Sequence, residues 1–439
     1  MSHVSHKSYS LILAAAPLLK ETACDSPPPD LKSHPLTRQR ISHSFFWNSP
    51  VLPKKRHLLI IFLTVFIDFV GFGILIPIQT YYAREFGASP EQISFLSVVF
   101  SVMQFIFAPM WGRLSDRWGR RPILLVSILG TSLSYVFYAM ANGLWMLYVA
   151  RSLAGLFAAN ISVAQAYVAD VTSEESRSKG MGIIGAGIGL GFLFGPAIGG
   201  IFSKGENYAL PSFIAAAVAL GNFLFAYSQL PESLKPESRT VQSRRRFDPQ
   251  ALHSAFSHPA AARLLIMYLL LYVGFSSMET AFVFLMDDWF NLTSHQTGWL
   301  LAFAGVVVVL VQGGLVRWVT RHINDLAMTI AGFVVLVYAL AYIPISPSVA
   351  FLLIPLAGCS LGNGLSHPGM LSLISKSCKP EEKGGIMGLN ASMGSLGRIV
   401  GQASAGFLYS YNVAAPFWTG SILVVVVIAL AFTLRPWVK

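Results

Sequence analysis

Twelve apolar runs, each about 20 residues long and set off by short polar clusters, constrain what this chain can become. They fall near residues 58–80, 92–111, 122–141, 145–168, 179–202 and 210–230, then 264–286, 297–316, 326–344, 349–373, 384–408 and 416–434. A helix of about 20 residues rises about 30 Å, the thickness of a bilayer's hydrocarbon core. Inside that core the protein itself must satisfy every backbone N–H and C=O, which leaves helices or a closed barrel. Barrel strands alternate apolar with polar residues, whereas these runs are continuous. Charged residues make up only 12% of the chain, about half the share of a soluble domain. The expected fold is an all-α polytopic membrane protein with 12 transmembrane helices, numbered here as spans 1–12.

The runs form two sets of six that resemble each other. A shift of 206 residues lays Glu175 over Glu381, Met181-Gly182 over Met387-Gly388, Gly195 over Gly401, Ala197 over Ala403 and Gly200 over Gly406, without a gap. Two pseudo-symmetric six-helix halves follow, residues 58–230 and 264–436. Parallel repeats of this kind are an architecture of secondary transporters, whose substrate site lies between the repeats near mid-membrane. Between them, residues 231–263 carry Pro231, Pro236, Pro249, Pro259 and the run Arg244-Arg245-Arg246, and read as a cytoplasmic linker. Residues 1–57 are rich in Ser, Pro and His, and their apolar stretch from Leu11 to Leu19 is too short to span. They are expected to form a disordered cytoplasmic extension, a targeting segment being the alternative.

The basic residues are segregated. If both termini face the cytoplasm, that side holds 22 near-membrane Lys and Arg, and the other holds Arg84 and Lys204. This is the charge bias that orients membrane proteins, and it accounts for most of the net charge of +11. A nucleic-acid partner is not expected, because the charge is split among short loops and forms no stripe. Cys24, Cys359 and Cys378 lie far apart without metal-ligand or disulfide spacing.

Between spans 2 and 3 stands Gly112-Arg113-Leu114-Ser115-Asp116-Arg117-Trp118-Gly119-Arg120-Arg121-Pro122. A turn this short makes the two spans antiparallel neighbours. Its acid suits a helix N-terminus, where the dipole favours an anion, and its arginines suit carboxylates or lipid phosphate. Span 1 carries Asp68, Gly71, Gly73 and Pro77. Span 4 carries Leu147-Tyr148-Val149-Ala150-Arg151-Ser152-Leu153-Ala154-Gly155 and runs on to Asp170, and span 5 carries Gly191, Gly195, Pro196, Gly199 and Gly200. The charged turn resembles the signature loop of the major facilitator superfamily, and on it the chain is identified as a member over about residues 58–436. The span 5 pattern resembles the motif of the antiporter branch. Together these segments are similar to the 12-helix drug:proton antiporters, the tetracycline-resistance exporters in particular. The resemblance implies a gate formed by Gly112, Arg113, Asp116, Arg117, Gly119, Arg120 and Arg121. A degenerate copy after span 8, Gly314 to His322, keeps Arg317 and Arg321 but no acid.

Physical chemistry gives these residues roles independent of the family. Gly187, Gly191, Gly195 and Gly199 recur every four residues, a stripe that lets another helix approach closely while Pro196 bends the rod. It suits a seal between the halves; ordinary small-residue packing is the other reading. Asp68 lies mid-span, where an ionised acid costs on the order of 2.5–3.5 kcal/mol to insert, so it must face a cavity or a partner. It is the candidate proton-coupling acid, paired with or tuned by Arg151, with a purely structural ion pair as the alternative. Arg151 and Arg398 are the mid-span bases, and Glu279 in span 7 is the matching acid of the second half, a candidate for proton or substrate contact. Phe72, Gln79, Asn160, Phe275, Glu279, Phe282 and Arg398, with Tyr272, are expected to line a substrate cavity, although aromatics at helical spacing commonly just pack. His367-Pro368 in span 10 is expected to mark a helix break.

One departure bears on the cargo. Tetracycline exporters place an acid in span 3, a histidine in span 8 and an acid in span 9, where this chain has Ser134, Val308 and Leu336. Tetracycline is therefore not the expected substrate, and Glu279 points instead to a lipophilic or cationic compound. No phosphate-binding loop ending in Gly-Lys-Ser/Thr is present, so an ion gradient must supply the energy. The expectation is proton-coupled efflux of small amphiphilic or drug-like compounds by alternating access. A monomer would carry it out, without cofactor or metal, in a plasma or inner membrane with both termini cytoplasmic. A facilitator or importer of a sugar, organic acid or amino acid is the alternative.

Overall fold

The computed structural model describes residues 54–158, 160–203, 207–234, 259–377 and 383–434. The expected disordered extension up to residue 53, residues 235–258 of the linker, Cys24, Cys378 and Glu381 lie outside the described residues. Among those described, all regular structure is helical. The first half contains α1 (Lys54–Glu85), α2 (Pro90–Trp118), α3 (Arg120–Ala139), α4 (Leu144–Phe157), α5 (Asn160–Val171), α6 (Glu174–Phe202) and α7 (Ala209–Gln229). The second contains α8 (Pro259–Asp288), α9 (Ser294–Leu310), α10 (Val316–Val319), α11 (Asp325–Tyr342), α12 (Val349–Lys376), α13 (Lys383–Tyr411) and α14 (Ala415–Phe432).

Eleven helical stretches among the described residues are long and apolar enough to cross a membrane. The remaining candidate, α13, is 29 residues long but rich in Gly, Ser and Asn, which lowers its apolarity without shortening it. It occupies the place of span 11. Two spans begin with the same reciprocal cap. Ser89 Oγ accepts from the Gln92 backbone N–H while the Gln92 side chain accepts from the Ser89 N–H, and Thr293 and Gln296 repeat this at span 8.

Spans 4 and 8 are not continuous rods. Span 4 leaves helical geometry at Ala158 (φ −73°, ψ 50°), between α4 and α5. The carbonyls set free there accept from side chains of spans 2 and 3. Trp111 Nε1 donates to Leu156 O (2.6 Å), Gln104 Nε2 to Ala158 O (3.3 Å), and Ser127 Oγ to Phe157 O. Three carbonyls at the break thus find side-chain donors, as a membrane interior demands. Span 8 passes from α9 through a π-helical turn, Val311–Leu315, into α10, and Gly313 and Gly314 have open space around them. The break expected at His367-Pro368 does not occur, because α12 runs helically from Val349 to Lys376 through both Pro355 and Pro368. Small residues flank Pro368, namely Gly364 one turn before it and Gly369 after it, so the backbone can tilt around the ring.

Glycines set the tightest helix pairs. The pairing of α1 with α6 is the most extensive in the fold. Gly191 lies against Phe69, Gly195 against Gly73 and Val70 O, and Gly199 against Ile74. The pair α8 and α13 repeats this pattern, with Gly397 against Leu269 O and Tyr272 and Gly401 against Val273 O and Ser276. The stripe of Gly187, Gly191, Gly195 and Gly199 thus packs within the first half and does not seal one half against the other. Successive residues four apart drift only about 40° around a helix, so the four glycines share the single face given to α1. Gly200 lies about 100° further round. It meets His295 and Gly298 of α9, and Gly298 in turn touches Pro196 O.

Candidate functional site

The contacts between the halves lie toward one end of the bundle. At this end Arg84 donates to Asp288 Oδ1 (2.6 Å) and Oδ2 (2.9 Å) and pairs with Asp287. Tyr409 donates to Asp288 Oδ2 (3.0 Å), Tyr81 donates to Leu292 O (2.8 Å) and shares a 2.8 Å hydrogen bond with Thr297, and Ser294 donates to Ser203 Oγ (2.8 Å). Ser101 donates to Gln402 Oε1 (2.7 Å) nearer the middle. Phe105, one turn further along α2, is 41% exposed, and Gly182, Gly185 and Gly189 of α6 have open space about them. The halves therefore meet at the end that carries the α1–α2 turn and part toward the end that carries the Gly112–Pro122 turn. Sequence reasoning counted Arg84 only as a stray base. Its spacing from Asp287-Asp288 holds no periodicity that would have paired them.

The Gly112–Pro122 turn is a charge cluster closed within the first half. Arg120 is 4% exposed. Its guanidinium lies 2.6 Å from Asp116 Oδ1 and donates to Ser115 Oγ (2.7 Å) and Asp170 Oδ2 (3.0 Å). Ser233 donates to the same Asp170 oxygen (3.0 Å). Asp116 was expected to suit a helix N-terminus, but the carboxylate that caps one is Glu232, beyond α7. It accepts from Arg120 N (2.8 Å) and Arg121 N (3.2 Å) at the start of α3. Gly119 makes this possible, at φ +110° and ψ 156° with the Glu232 carboxylate where a Cβ would stand. Arg121 donates to Tyr227 O (2.7 Å), and Arg113 donates to Pro109 O (3.3 Å) within its own helix. Gly112 has open space around it, and Arg117 lies in the last turn of α2.

Mid-membrane, α1, α3 and the broken span 4 converge on Asp68. Asn160, the first residue of α5, stands beside Asp68. Asp68 Oδ1 is buried without a partner, as is Asn160 Oδ1. The helix break delivers Asn160 and the N-terminal end of a half-helix to the acid, an arrangement suited to negative charge. Arg151 is 7% exposed and forms no ion pair with Asp68 among the described residues. Its guanidinium carbon lies 4.7 Å from the Phe100 ring centre and 6.0 Å from that of Phe72, while Tyr135 lies within the field of both Asp68 and Arg151. Phe72 thus serves Arg151 as a π-face, and Arg151 Nε is left unbonded.

The second half presents a different set. Tyr268, Tyr272, Phe275 and Glu279 recur at helical spacing and share one face of α8. Tyr268 and Tyr272 hydroxyls lie 3.1 Å and 3.2 Å from His367 Nε2 of α12, and Tyr268 donates to Tyr272 (3.3 Å). Glu279 sits deep in the bundle, yet its side chain is exposed, as befits a cavity wall. Arg398 of α13 is half-buried, and neither it nor Glu279 has a hydrogen bond or ion pair among the described residues. Three residues expected on a cavity wall are buried instead, Asn160 beside Asp68 among them at 6% exposed. Phe282 is 2% exposed in the core, and Gln79 is buried and donates to Ser97 Oγ (2.8 Å). His367, read in sequence as a helix breaker, is the residue that pattern reasoning missed; its partners lie 95 and 99 residues away.

The chain has extensive likeness to known proteins. The family profile described as Major Facilitator Superfamily matches residues 61–402, and again 264–437. The tetracycline resistance protein, class B, of Escherichia coli is 29% identical over 388 residues, which cover 84% of this chain and 94% of that protein. Multidrug resistance protein 2 of Bacillus subtilis (strain 168) is 29% identical over 382 residues, covering 85% of this chain and 94% of that protein. Among solved structures, the human organic anion transporter MFSD10 (TETRAN) matches with a TM-score of 0.66 at 27% identity, over 87% of this chain and 100% of that one.

Proposed function

Because the chain belongs to the Major Facilitator Superfamily, and so is a multi-pass membrane transporter and not an enzyme, we propose that it exports small amphiphilic compounds in exchange for protons, with Asp68 as the coupling acid. The observation that carries this reading is the geometry of that acid. Asn160 stands beside it, and its Oδ1 is buried with nothing to donate to it. A carboxyl with one free buried oxygen is a proton acceptor in waiting, and no ion pair with Arg151 quenches the acid. The names of the resistance-protein relatives support export.

Orientation belongs to the same proposal. With the basic loops in the cytoplasm, the Gly112–Pro122 turn is cytoplasmic and the Arg84 contacts seal the opposite face, so the cavity opens inward. One proton crossing about 100 mV contributes about 2.3 kcal/mol, enough to concentrate a neutral substrate about 50-fold at one-to-one exchange. The test is substrate-driven proton flux in proteoliposomes with an imposed pH gradient. The wild-type chain is expected to show it and Asp68→Asn to abolish it while keeping substrate binding. Flux that survives Asp68→Asn overturns the assignment of the acid, and counterflow without any pH dependence favours a facilitator of a small metabolite.

A further inference from the structure

The mid-membrane charges of the second half are arranged for a ligand that carries both signs. Glu279 and Arg398 do not touch, since no ion pair within 4.0 Å joins them. Their levels can be read from the helix pairing. Gly397 packs against Tyr272 and Gly401 against Ser276, so α8 and α13 run parallel and Arg398 stands near the level of Val273. Glu279 lies six residues further along α8, about 9 Å at the helical rise.

Both side chains point into the same space. Glu279 continues the face of α8 that Tyr268 and Tyr272 turn toward His367 of α12. Arg398 comes directly after Gly397, which packs on α8, and one turn before Gln402, which accepts from Ser101 of α2. It therefore projects into the wedge between α8 and the first half. An unpaired acid and an unpaired base in a membrane interior each require a counter-charge, and each is too far from the other to provide it. A ligand that is only cationic leaves Arg398 unanswered, and one that is only anionic leaves Glu279 so.

We propose that the cavity recognises zwitterionic amphiphiles, a protonated amine set against Glu279 and an acidic group against Arg398, with the Tyr268–Tyr272–His367 cluster beside the acidic end. The proposal rests on the transporter reading but not on proton coupling. Its test is therefore equilibrium binding to the full-length protein in detergent at one fixed pH, where Asp68-dependent flux plays no part. Three probes share a skeleton: para-(aminomethyl)benzoic acid, its methyl ester, which is a cation, and its N-acetyl derivative, which is an anion. The zwitterion is expected to bind at least tenfold tighter than either blocked form. Glu279→Gln should lower its affinity to that of the N-acetyl compound and leave the latter unchanged. Arg398→Gln should lower it to that of the ester, and Arg398→Lys should restore part of the loss. The ordering of the three probes on the unaltered protein is decisive even if a variant fails to fold. An ester that binds as tightly as the zwitterion, or a zwitterion indifferent to Arg398→Gln in folded protein, overturns the proposal.

Discussion

At the scale of single residues, the Gly112–Pro122 turn depends on a carboxylate that its own sequence does not contain. Glu232 accepts from the first two backbone N–H groups of α3 and from Ser233 N and Leu234 N, so it fixes the segment after α7 to the start of α3. Removing a capping acceptor costs about 1 kcal/mol. Glu232→Ala is therefore expected to destabilise the detergent-solubilised protein by about 1–2 kcal/mol, read by thermal unfolding, with Glu232→Gln milder because the amide oxygen still accepts. Gly119→Ala should do at least as much harm, since its backbone lies where only glycine is at ease and a Cβ would meet the same carboxylate; such strain costs about 1–3 kcal/mol. Legibility at this scale was uneven. Asp68, Arg151, Glu279 and Arg398 stood out because an ionisable group in an apolar run is anomalous against its neighbours. Glu232, Arg84 and His367 sit at span ends or beside proline, where polar residues are ordinary, and nothing local marks them.

At the scale of elements, the twelve runs were readable because a bilayer imposes length and apolarity on each span separately. What escaped was how a span ends or bends inside its run. Span 4 breaks at Ala158, a position without proline or glycine, because three side chains from other spans receive its freed carbonyls; that cause is tertiary and leaves no trace in the span itself. Pro368 is the converse, a local breaker overruled by small neighbours and by the surrounding bundle. Trp111→Phe should expose this dependence. It keeps the ring but leaves Leu156 O without its donor, for an expected loss of about 1–3 kcal/mol in unfolding measurements, where Trp145→Phe at an exposed site should change little. The glycine stripe yields a matched pair on one helix. At Gly195 a Cβ would stand 2.6 Å from Gly73 Cα and 2.8 Å from Val70 O, so Gly195→Ala should cost about 1–3 kcal/mol. At Gly182 nothing lies within 4 Å, and Gly182→Ala should be neutral or gain up to about 1 kcal/mol from helix propensity.

At the scale of the whole molecule, alternating access requires that whatever closes one end can open. The seam at the α1–α2 end combines glycine contacts, Gly200 on Gly298, with polar contacts, of which the Arg84 cluster is the most highly charged. Glycine contacts are short-ranged and lost as soon as the halves separate, whereas water can take over the hydrogen bonds of a cluster whose side chains are already 25–40% exposed. That partial exposure limits what the cluster contributes, to about 1–2 kcal/mol and not the larger figure of a fully buried pair. Such a loss moves a two-state equilibrium about 5- to 30-fold. Arg84→Ala should therefore shift the resting population toward a state open at this end without unfolding the protein. Spin labels at Asn142 and Ser348, exposed in the turns after α3 and α11 at that same end, place one reporter on each half. Double electron–electron resonance between them should show a longer distance gaining population in Arg84→Ala, and the Asp287→Asn, Asp288→Asn double variant should reproduce it. If both variants keep the wild-type distance distribution, the Arg84 cluster does not hold the seam closed, and the contact of Gly200 with Gly298 and the Tyr81 and Ser294 hydrogen bonds set the resting state.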